Sequence, residues 1–263
     1  IKVDACPLFD KKHGRAIKAV AGALGYLGNS RDLHLERVGI RASRRTGALE
    51  VALWTPTGSF PRAQVSRVLR DAVRATSVVR VMSKGDTRAR KVAGVEALDG
   101  QGSWTEKIGS EQMRLSAPSF FQVNTKAAEI LIDLVMEALD PQPHELGIDL
   151  YCGAGTFTLP LARRCEYVSA VESYGPSVRD LRRNLEIAHL DNVDVIGGDA
   201  VRRVPRRGMP TYLWSTRPEP GWRARPSSSS PARARATWPT CPATRPPSPA
   251  TCAASWTRAP LHP

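Results

Sequence analysis

Two glycines in a strand-to-helix turn are the residues of this chain whose spacing first indicates chemistry. They are Gly153 and Gly155, in the run Tyr151-Cys152-Gly153-Ala154-Gly155-Thr156. The apolar residues 146–150 predict a buried strand before the turn, and residues 157–162 predict the start of a helix after it. A glycine has no Cβ, so backbone can approach a ligand closely at such a turn. The spacing matches neither Gly-x-Gly-x-x-Gly nor a phosphate loop, and the turn alone indicates only a nucleotide-like ligand.

Two carboxylates follow the glycines, one at the end of each of the next two predicted strands. Glu172 ends the strand predicted at 167–171, and Asp199 follows the one predicted at 193–196. The helix predicted at 175–188 between them makes the sheet parallel and doubly wound, with ligands at the carboxyl ends of its strands. Glu172 could then accept hydrogen bonds from both hydroxyls of a ribose, and Asp199 could reach an adenine amino group. Either acid alone is more commonly a helix cap or a loop residue; together they favour a nucleoside site.

The elements ahead of the turn predict two units. Residues 1–105 have the pattern of a compact α+β unit, with helices at 11–27 and 62–76, a hairpin of strands 35–42 and 48–55, and a strand at 77–82. Strands are predicted again within 103–115. A helix follows at 126–139, and either Asn124 or Thr125 can cap it, because a side-chain oxygen there satisfies an unpaired N–H of the first turn.

Composition restricts the class of protein. The 263 residues carry a formal net charge of +13, from 38 basic and 25 acidic side chains, which favours polyanionic partners such as nucleic acid. About half of that charge lies after residue 212, where there are seven Arg and one Glu. Five scattered cysteines predict a reduced, cytoplasmic protein without a disulfide framework. No apolar run reaches the roughly 18 residues that cross a bilayer, so no membrane association is expected.

These segments, taken in order, resemble one family. Ser119-Phe120-Phe121-Gln122-Val123-Asn124, the glycine turn, Ala170-Val171-Glu172 and Gly198-Asp199-Ala200 closely resemble the S-adenosylmethionine-dependent RNA uracil-5 methyltransferases. The resemblance covers about residues 1–212. It implies methyl transfer from S-adenosylmethionine to C5 of uridine in RNA, with ribosomal RNA favoured over tRNA, by a monomer. The residues that it implies for the methyl-donor site are Gln122, Tyr151, Gly153, Gly155, Thr156, Glu172 and Asp199.

The resemblance also implies the domain organisation. We expect an α/β chain in which an incomplete class I Rossmann-like methyltransferase domain, 106–212, follows a small central α+β domain, 1–105. Some members have an iron–sulfur cluster ligand at the position of Cys6 in Cys6-Pro7. The other three ligands, and an RNA-binding barrel, would lie upstream of Ile1, where we expect the natural N-terminus. A cluster needs four thiolates, so Cys6 alone is not expected to hold one.

The family's catalytic residues are not found in this sequence. Members use a cysteine that adds to C6 of uracil and a carboxylate that removes the C5 proton, and they carry Asp-Pro-Pro-Arg and Ser-Cys-Asp/Asn-Pro motifs. Residues 213–263 contain neither motif, but both reappear when codons for residues 214–222 and 239–259 are reread one nucleotide out of frame. We therefore expect a disordered, out-of-frame tail and an inactive chain, and assign no catalytic role to Cys241 or Cys252.

Other interpretations remain open at the level of sequence. Residues 213–263 could be a disordered Pro/Arg/Ser-rich extension, although four tryptophans are unusual in such a segment. The chain could be a non-catalytic RNA- or nucleoside-binding protein with a basic arm. It could also be a methyltransferase acting on another substrate, which would leave the match at 119–124 unexplained.

Overall fold

A mixed four-stranded sheet forms the first half of the protein. The computed structural model describes residues 6, 9, 11–30, 32–85, 91–203 and 212–215. The strands of the first sheet lie in the order β1-β2-β3-β4. They are β1 (Arg37–Ala42), β2 (Leu49–Pro56), β3 (Ser77–Lys84) and β4 (Lys91–Gly100). β1 pairs antiparallel with β2, β2 parallel with β3, and β3 antiparallel with β4.

Two helices cover one face of this sheet. They are α1 (Arg15–Gly28), which follows a short 3-10 helix at Lys11–His13, and α2 (Arg62–Val73), which connects the parallel strands β2 and β3. Val20 and Leu27 of α1 and Leu69 of α2 pack with Val51 and Leu53 of β2 in one buried cluster. Burial of these side chains is the main stabilising contribution in this half.

The second half contains a parallel sheet in the order β10-β7-β8-β9. Its strands are β7 (Leu146–Leu150), β8 (Tyr167–Glu172), β9 (Val193–Gly197) and β10 (Tyr212–Ser215). The helices of this half are α3 (Thr125–Leu139), α4 (Thr158–Ala162), α5 (Gly175–Ala188) and α6 (Ala200–Arg203). β7 lies between β8 and β10, so the chain leaves it in one direction and returns on its other side. Ligands of open α/β sheets bind at such a point.

A hairpin joins the two halves. It consists of β5 (Trp104–Ile108) and β6 (Glu111–Leu115). Its side chains form a buried cluster with Phe121, with Ala48 from the first half and with Ala154 from the glycine turn. Trp104 and Phe121 meet edge to face, with ring centroids 5.7 Å apart. The segment that leads to Gln122 is therefore packed against both halves.

Most of the predicted elements are confirmed, with small shifts at their ends. Asn124 is the cap of α3, because its side-chain oxygen accepts a hydrogen bond from the N–H of Ala127 at 3.1 Å. The helix predicted at 62–76 ends earlier, at Val73, because Arg74 has a φ of +50° and turns the chain away. β4 was not predicted. Its side chains alternate only between exposed and half-buried, so its hydrophobic pattern is weak.

Two predicted boundaries lie within strands. The division at 105/106 lies inside β5, which begins at Trp104. The tail predicted to begin at 213 without strands starts with residues that belong to β10, whose backbone pairs with β7 from Tyr212 to Ser215. The prediction is wrong for those three residues, because strand pairing continues past the expected end. The rest of that tail, 216–263, lies outside the described residues.

The described helices also bear on membrane association. Within the ranges given above, no helix is both long enough and apolar enough to span a bilayer.

Candidate functional site

The glycine turn has a backbone that few residue types could adopt. Tyr151, Gly153 and Gly155 have φ values of +61°, +57° and +103°. The N–H groups of Tyr151 and Cys152 both donate to the carbonyl oxygen of Val171, at 2.8 and 3.2 Å. These bonds tie the start of the turn to the end of β8. Tyr151 is a non-glycine residue in the left-handed region, a strained conformation of the kind found at functional sites.

The two glycines have different surroundings. A Cβ added at Gly153 would meet no heavy atom within 4 Å, so this residue faces open space. A Cβ added at Gly155 would lie 2.5 Å from Leu159 Cδ1 and 2.7 Å from Leu181 Cδ1. Gly155 is therefore required for the close packing of α4 and α5, whether or not a ligand approaches it. Gly153 offers the open backbone surface that a ligand would use.

Glu172 is held against the turn by main-chain donors. Its side chain is only 9% exposed. Oε2 accepts a hydrogen bond from the N–H of Gly153 at 3.0 Å, and Oε1 accepts one from the N–H of Tyr174 at 2.6 Å. The carbonyl oxygen of Glu172 accepts a further bond from the N–H of Gly198 at 2.9 Å. Oε1 also accepts a hydrogen bond from Ser173 Oγ at 3.4 Å. A carboxylate oxygen has two lone pairs, so Oε2 keeps the capacity to accept one more donor.

Asp199 and Thr156 complete the set predicted along the strand ends. Asp199 follows Gly198, whose φ is +142°, and is exposed. The main-chain oxygen of Asp199 accepts bonds from the N–H groups of Arg202 and Arg203, which begins α6. Thr156 is half-buried in the turn. Direct hydrogen bonds thus join the glycine turn, Glu172 and Gly198, the residue before Asp199.

Gln122 lies in the wall of a cavity. It is half-buried and borders a cavity of about 540 Å³ between β1 and the segment after β6. The lining of the cavity includes none of the other six residues predicted for the donor site. It consists of Phe9, Ile40, Arg41, Ala42, Arg44, Trp104, Glu106, Phe121, Gln122, Val123 and Thr125. The connection to the turn runs through the neighbouring Phe121, which shares a buried cluster with Ala154.

Asp149 is a buried carboxyl group beneath the turn. It is fully buried, and its Oδ2 accepts a hydrogen bond from Thr158 Oγ1 at 2.6 Å, while its Oδ1 has no partner. Burial raises the pKa of Asp149 to about 7, the Thr158 hydrogen bond lowers it, and the charge of Glu172 raises it further. Its protonation therefore changes near neutral pH.

The cysteines next to the site are not arranged as nucleophiles. Burial, together with the nearby carboxylates Asp149 and Glu172, raises the pKa of the Cys152 thiol far above its ordinary value. Burial also raises the pKa of Cys165, to about 11. Because the thiolate is the reactive form, neither thiol is activated for attack.

Cys6, the residue at the position of a cluster ligand, is an exposed free thiol. Among the residues that the structure describes, no group of three or more His, Cys, Asp or Glu side chains could hold a metal ion. A role for Cys6 in an iron–sulfur cluster stays a prediction.

Sequence reasoning missed a group of buried polar residues beside the site. Arg41 of β1 donates through its guanidinium to the carbonyl oxygens of Ser116, Ala117 and Ser119. Asp180 of α5 binds Ser116 from the other side. Asn184, also of α5, binds Arg114 and Ala154. The available signal was the spacing of Asp180 and Asn184, which alternate with Leu181 and Leu185 on the inner face of a helix.

The solved structures confirm the class of fold. The tRNA (uracil-54, C5)-methyltransferase of Pyrococcus abyssi, solved in complex with S-adenosyl-L-homocysteine, superposes with a TM-score of 0.64 at 22% identity, over 81% of this chain and 53% of that one. The protein therefore has the α/β fold with a Rossmann-like core of the S-adenosylmethionine-dependent methyltransferases, preceded by a β-rich N-terminal part.

Sequence relatives then identify the family. A family profile described as tRNA (Uracil-5-)-methyltransferase matches residues 106–200. An uncharacterized RNA methyltransferase of Gloeobacter violaceus is 32% identical over 208 residues, which are 78% of this chain and 42% of that protein. One from Synechocystis is 42% identical over 108 residues, which are 41% of this chain and 23% of that protein. This chain belongs to the RNA (uracil-5-)methyltransferase family, and it spans less than half the length of these two relatives.

Proposed function

We propose that this chain carries the S-adenosylmethionine site of an enzyme that methylates C5 of uridine in RNA, with ribosomal RNA as the favoured substrate and a monomer as the working unit. The observation that carries the proposal is the position of Glu172. Its carboxylate is buried, fixed by the N–H groups of Gly153 and Tyr174, and lies against a glycine turn with an open face. A fixed acceptor beside exposed backbone suits a ribose, which presents two hydroxyl donors.

The residues present fit such a donor. A Cβ at Gly153 would project into open space, so the glycine leaves room for a ligand against its backbone. In the proposed complex Glu172 accepts from the ribose hydroxyls and Asp199 from the adenine amino group, while Tyr151, Gly155, Thr156 and Gln122 complete the site. When bound, S-adenosylmethionine supplies an electrophilic methyl group on a sulfonium centre. The protein's task here is to bind and orient it.

We propose further that this chain does not transfer the methyl group by itself. Methylation at C5 needs a thiolate to add to C6 and a base to remove the C5 proton. The sequence contains no Ser-Cys-Asp/Asn-Pro run. The raised pKa values of Cys152 and Cys165 keep both thiols protonated at neutral pH. No described residue is therefore assigned as nucleophile or base.

Calorimetry with S-adenosylmethionine and S-adenosylhomocysteine tests the first part. We expect both to bind the full chain at one site, and Glu172→Gln to weaken both. A folded chain that binds neither overturns the proposed donor site. Incubation with methyl-labelled donor and uridine-containing RNA tests the second part, because label recovered in C5-methyluridine would contradict the proposed inactivity.

RNA binding without catalysis is the competing function, and the charge after residue 212 favours it. It predicts RNA affinity that falls steeply with added salt and disappears when residues 216–263 are removed. The donor-site proposal predicts unchanged donor affinity after the same truncation. Measuring both ligands on both chains separates the two functions.

A further inference from the structure

Helix α5 buries a carboxylate and an amide on its inner face, in addition to the small polar residue Ser177. Asp180 is 1% exposed and Asn184 is fully buried, and they are four residues apart, so they lie one above the other. Leu181 and Leu185 flank them in the buried face. Burying a carboxylate and an amide is unfavourable unless both are hydrogen-bonded. Their hydrogen-bond partners therefore indicate the role of these two side chains.

Asp180 binds the segment that follows β6. Its Oδ2 accepts three hydrogen bonds: from the N–H of Ser116 at 2.8 Å, from Ser116 Oγ at 2.7 Å and from Ser119 Oγ at 2.5 Å. Its Oδ1 lies 3.7 Å from a guanidinium nitrogen of Arg183. Three donors on one oxygen fix residues 116–119 against the helix. This segment leads directly into Phe120 and Gln122.

Asn184 forms hydrogen bonds with two parts of the chain, β6 and the glycine turn. Its Oδ1 accepts from the N–H of Arg114 in β6 at 2.7 Å. Its Nδ2 donates to the carbonyl oxygen of Ala154, inside the glycine turn, at 3.0 Å. One side chain thus fixes the distance between the turn and the strand that precedes Gln122.

Arg41 holds segment 116–119 from the opposite side. Its guanidinium donates to the carbonyl oxygens of Ser116, Ala117 and Ser119, while the N–H of Ser116 and the two serine hydroxyls bind Asp180. The segment therefore lies between a cation that takes its acceptors and an anion that takes its donors. Such charge-assisted bonds are stronger and more directional than neutral ones.

We propose that Asp180 and Asn184 are positioning residues, which hold the Gln122 segment and the glycine turn in the relative placement that donor binding requires. This proposal rests on the proposed function. Its physical basis is that, within the described part of the chain, the hydrogen-bond partners of these two side chains lie on β6, on segment 116–119 or on the glycine turn. Those are the parts of the chain that lead to or contain residues proposed to contact the donor.

The test combines donor affinity with hydrogen exchange of the full chain. We expect Asp180→Ala and Asn184→Ala each to weaken S-adenosylhomocysteine binding about tenfold, the factor that one charge-assisted or buried hydrogen bond gives. Peptides covering 114–119 should exchange faster in both variants, and the peptide covering 153–156 faster in Asn184→Ala. Asp180→Asn keeps an oxygen that accepts from Ser116 and should restore most of the affinity.

Val135→Ala is the matched control for a merely structural role. Val135 is a core residue of the same half. The buried cluster to which it belongs contains no residue of α5. Its truncation lowers stability while leaving the Asp180 and Asn184 bonds intact. The proposal is overturned if, at equal folded fraction, Asp180→Ala and Asn184→Ala weaken donor binding no more than Val135→Ala does, or if exchange at 114–119 is unchanged.

The test also gives an answer if Asp180→Ala does not fold or if the unaltered chain binds no donor. If Asp180→Ala does not fold, Asp180→Asn and Asn184→Ala are compared with Val135→Ala by the same criteria. If the unaltered chain binds no donor, the proposed function fails, and the exchange data alone decide the positioning role. Faster exchange confined to 114–119 and 153–156 then shows that the two side chains hold these segments in place, and unchanged exchange there overturns the positioning role.

Discussion

The main-chain N–H of Gly153 lies 3.0 Å from Oε2 of Glu172 and donates a hydrogen bond to it. This bond connects the turn after β7 to the end of β8, two neighbouring strands of the parallel sheet. It places a negative charge next to the one glycine of the turn that faces open space. The position of the acid therefore depends on the turn, and the shape of the turn depends on the acid.

Glu172→Gln should weaken donor binding about tenfold or more, because a charge-assisted hydrogen bond contributes about 1.5–3 kcal/mol. The substitution keeps the size of the side chain but removes its charge and gives one end two donors. Calorimetry with S-adenosylhomocysteine measures the effect. Glu137→Gln, an exposed position on α3, is the control with the same chemical change and should leave the affinity unaltered. Equal affinities of the parent, Glu172→Gln and Glu137→Gln would show that Glu172 does not bind the donor.

The two glycines of the turn should respond differently to alanine. Gly155→Ala should lower the free energy of unfolding by about 2–5 kcal/mol, since it adds overpacking to an unfavourable φ. Gly153→Ala should cost only about 1–2 kcal/mol, because no atom lies near its added Cβ. Urea unfolding measures both changes. Donor affinity, measured on folded protein, should fall for Gly153→Ala, and a larger loss of stability at Gly153 than at Gly155 would contradict this assignment.

Asp149 should make stability fall as pH rises towards neutrality. Burial raises its pKa in the folded state to about 7 from an ordinary value of 3.8, so the folded protein binds the proton more tightly than the unfolded chain does. The stabilisation is present below pH 4 and is lost between about pH 4 and 7. Asp149→Asn mimics the protonated acid, and Thr158 can still donate to its oxygen.

The variant should therefore match the parent at pH 4 and exceed it at pH 8 by up to about 4 kcal/mol. Denaturant unfolding across this pH range measures the difference, with Asp133→Asn, exposed on α3, as the control. A difference that stays constant with pH would show that Asp149 does not titrate in this window.

Arg41 and Glu50 are directly paired across β1 and β2 and should be energetically coupled. Glu50 is 1% exposed, and neither carboxylate oxygen has a hydrogen-bond partner. Burial raises the pKa of Glu50 to about 7, and the charge of Arg41 lowers it. Arg41→Met removes the nearby positive charge that favours ionised Glu50 and the donor to three carbonyl oxygens, so it should destabilise the protein by about 3–5 kcal/mol.

The double variant Arg41→Met/Glu50→Gln should be less destabilised than the sum of the single variants, by about 0.5–3 kcal/mol. Urea unfolding of the four proteins at pH 8 completes the cycle. Additive effects would show that Arg41 acts only through the carbonyl groups of segment 116–119.

The strand ends around the site could be predicted because local patterns determine them. β7, β8 and β9 are short apolar runs between turn residues, and the helix predicted at 175–188 has the bounds observed for α5. The glycines and Glu172 could be placed at one edge because parallel strands bring their carboxyl ends together. The hydrogen bond between Gly153 and Glu172 then follows from that placement.

Long-range polar pairing could not be predicted from the same patterns. Aspartate in a helix is usually exposed, and the burial of Asp180 depends on serines about sixty positions earlier in the chain. β4 is half-exposed along its length, so its alternation is weak. The cavity that Gln122 lines lies towards Arg41, and this placement likewise depends on contacts between residues far apart in the sequence. In each case the missing information is a tertiary contact that no local period encodes.

The hydrogen bonds that hold residues 116–119 affect how the protein unfolds. Arg41 belongs to the first sheet and Asp180 to the second half, yet both bind the same four residues. If either half unfolds, the segment loses charge-assisted hydrogen bonds that fix it in place for the other half. The two sheets should therefore lose their structure in one cooperative transition, and a chain divided near residue 105 would separate partners that stabilise one another.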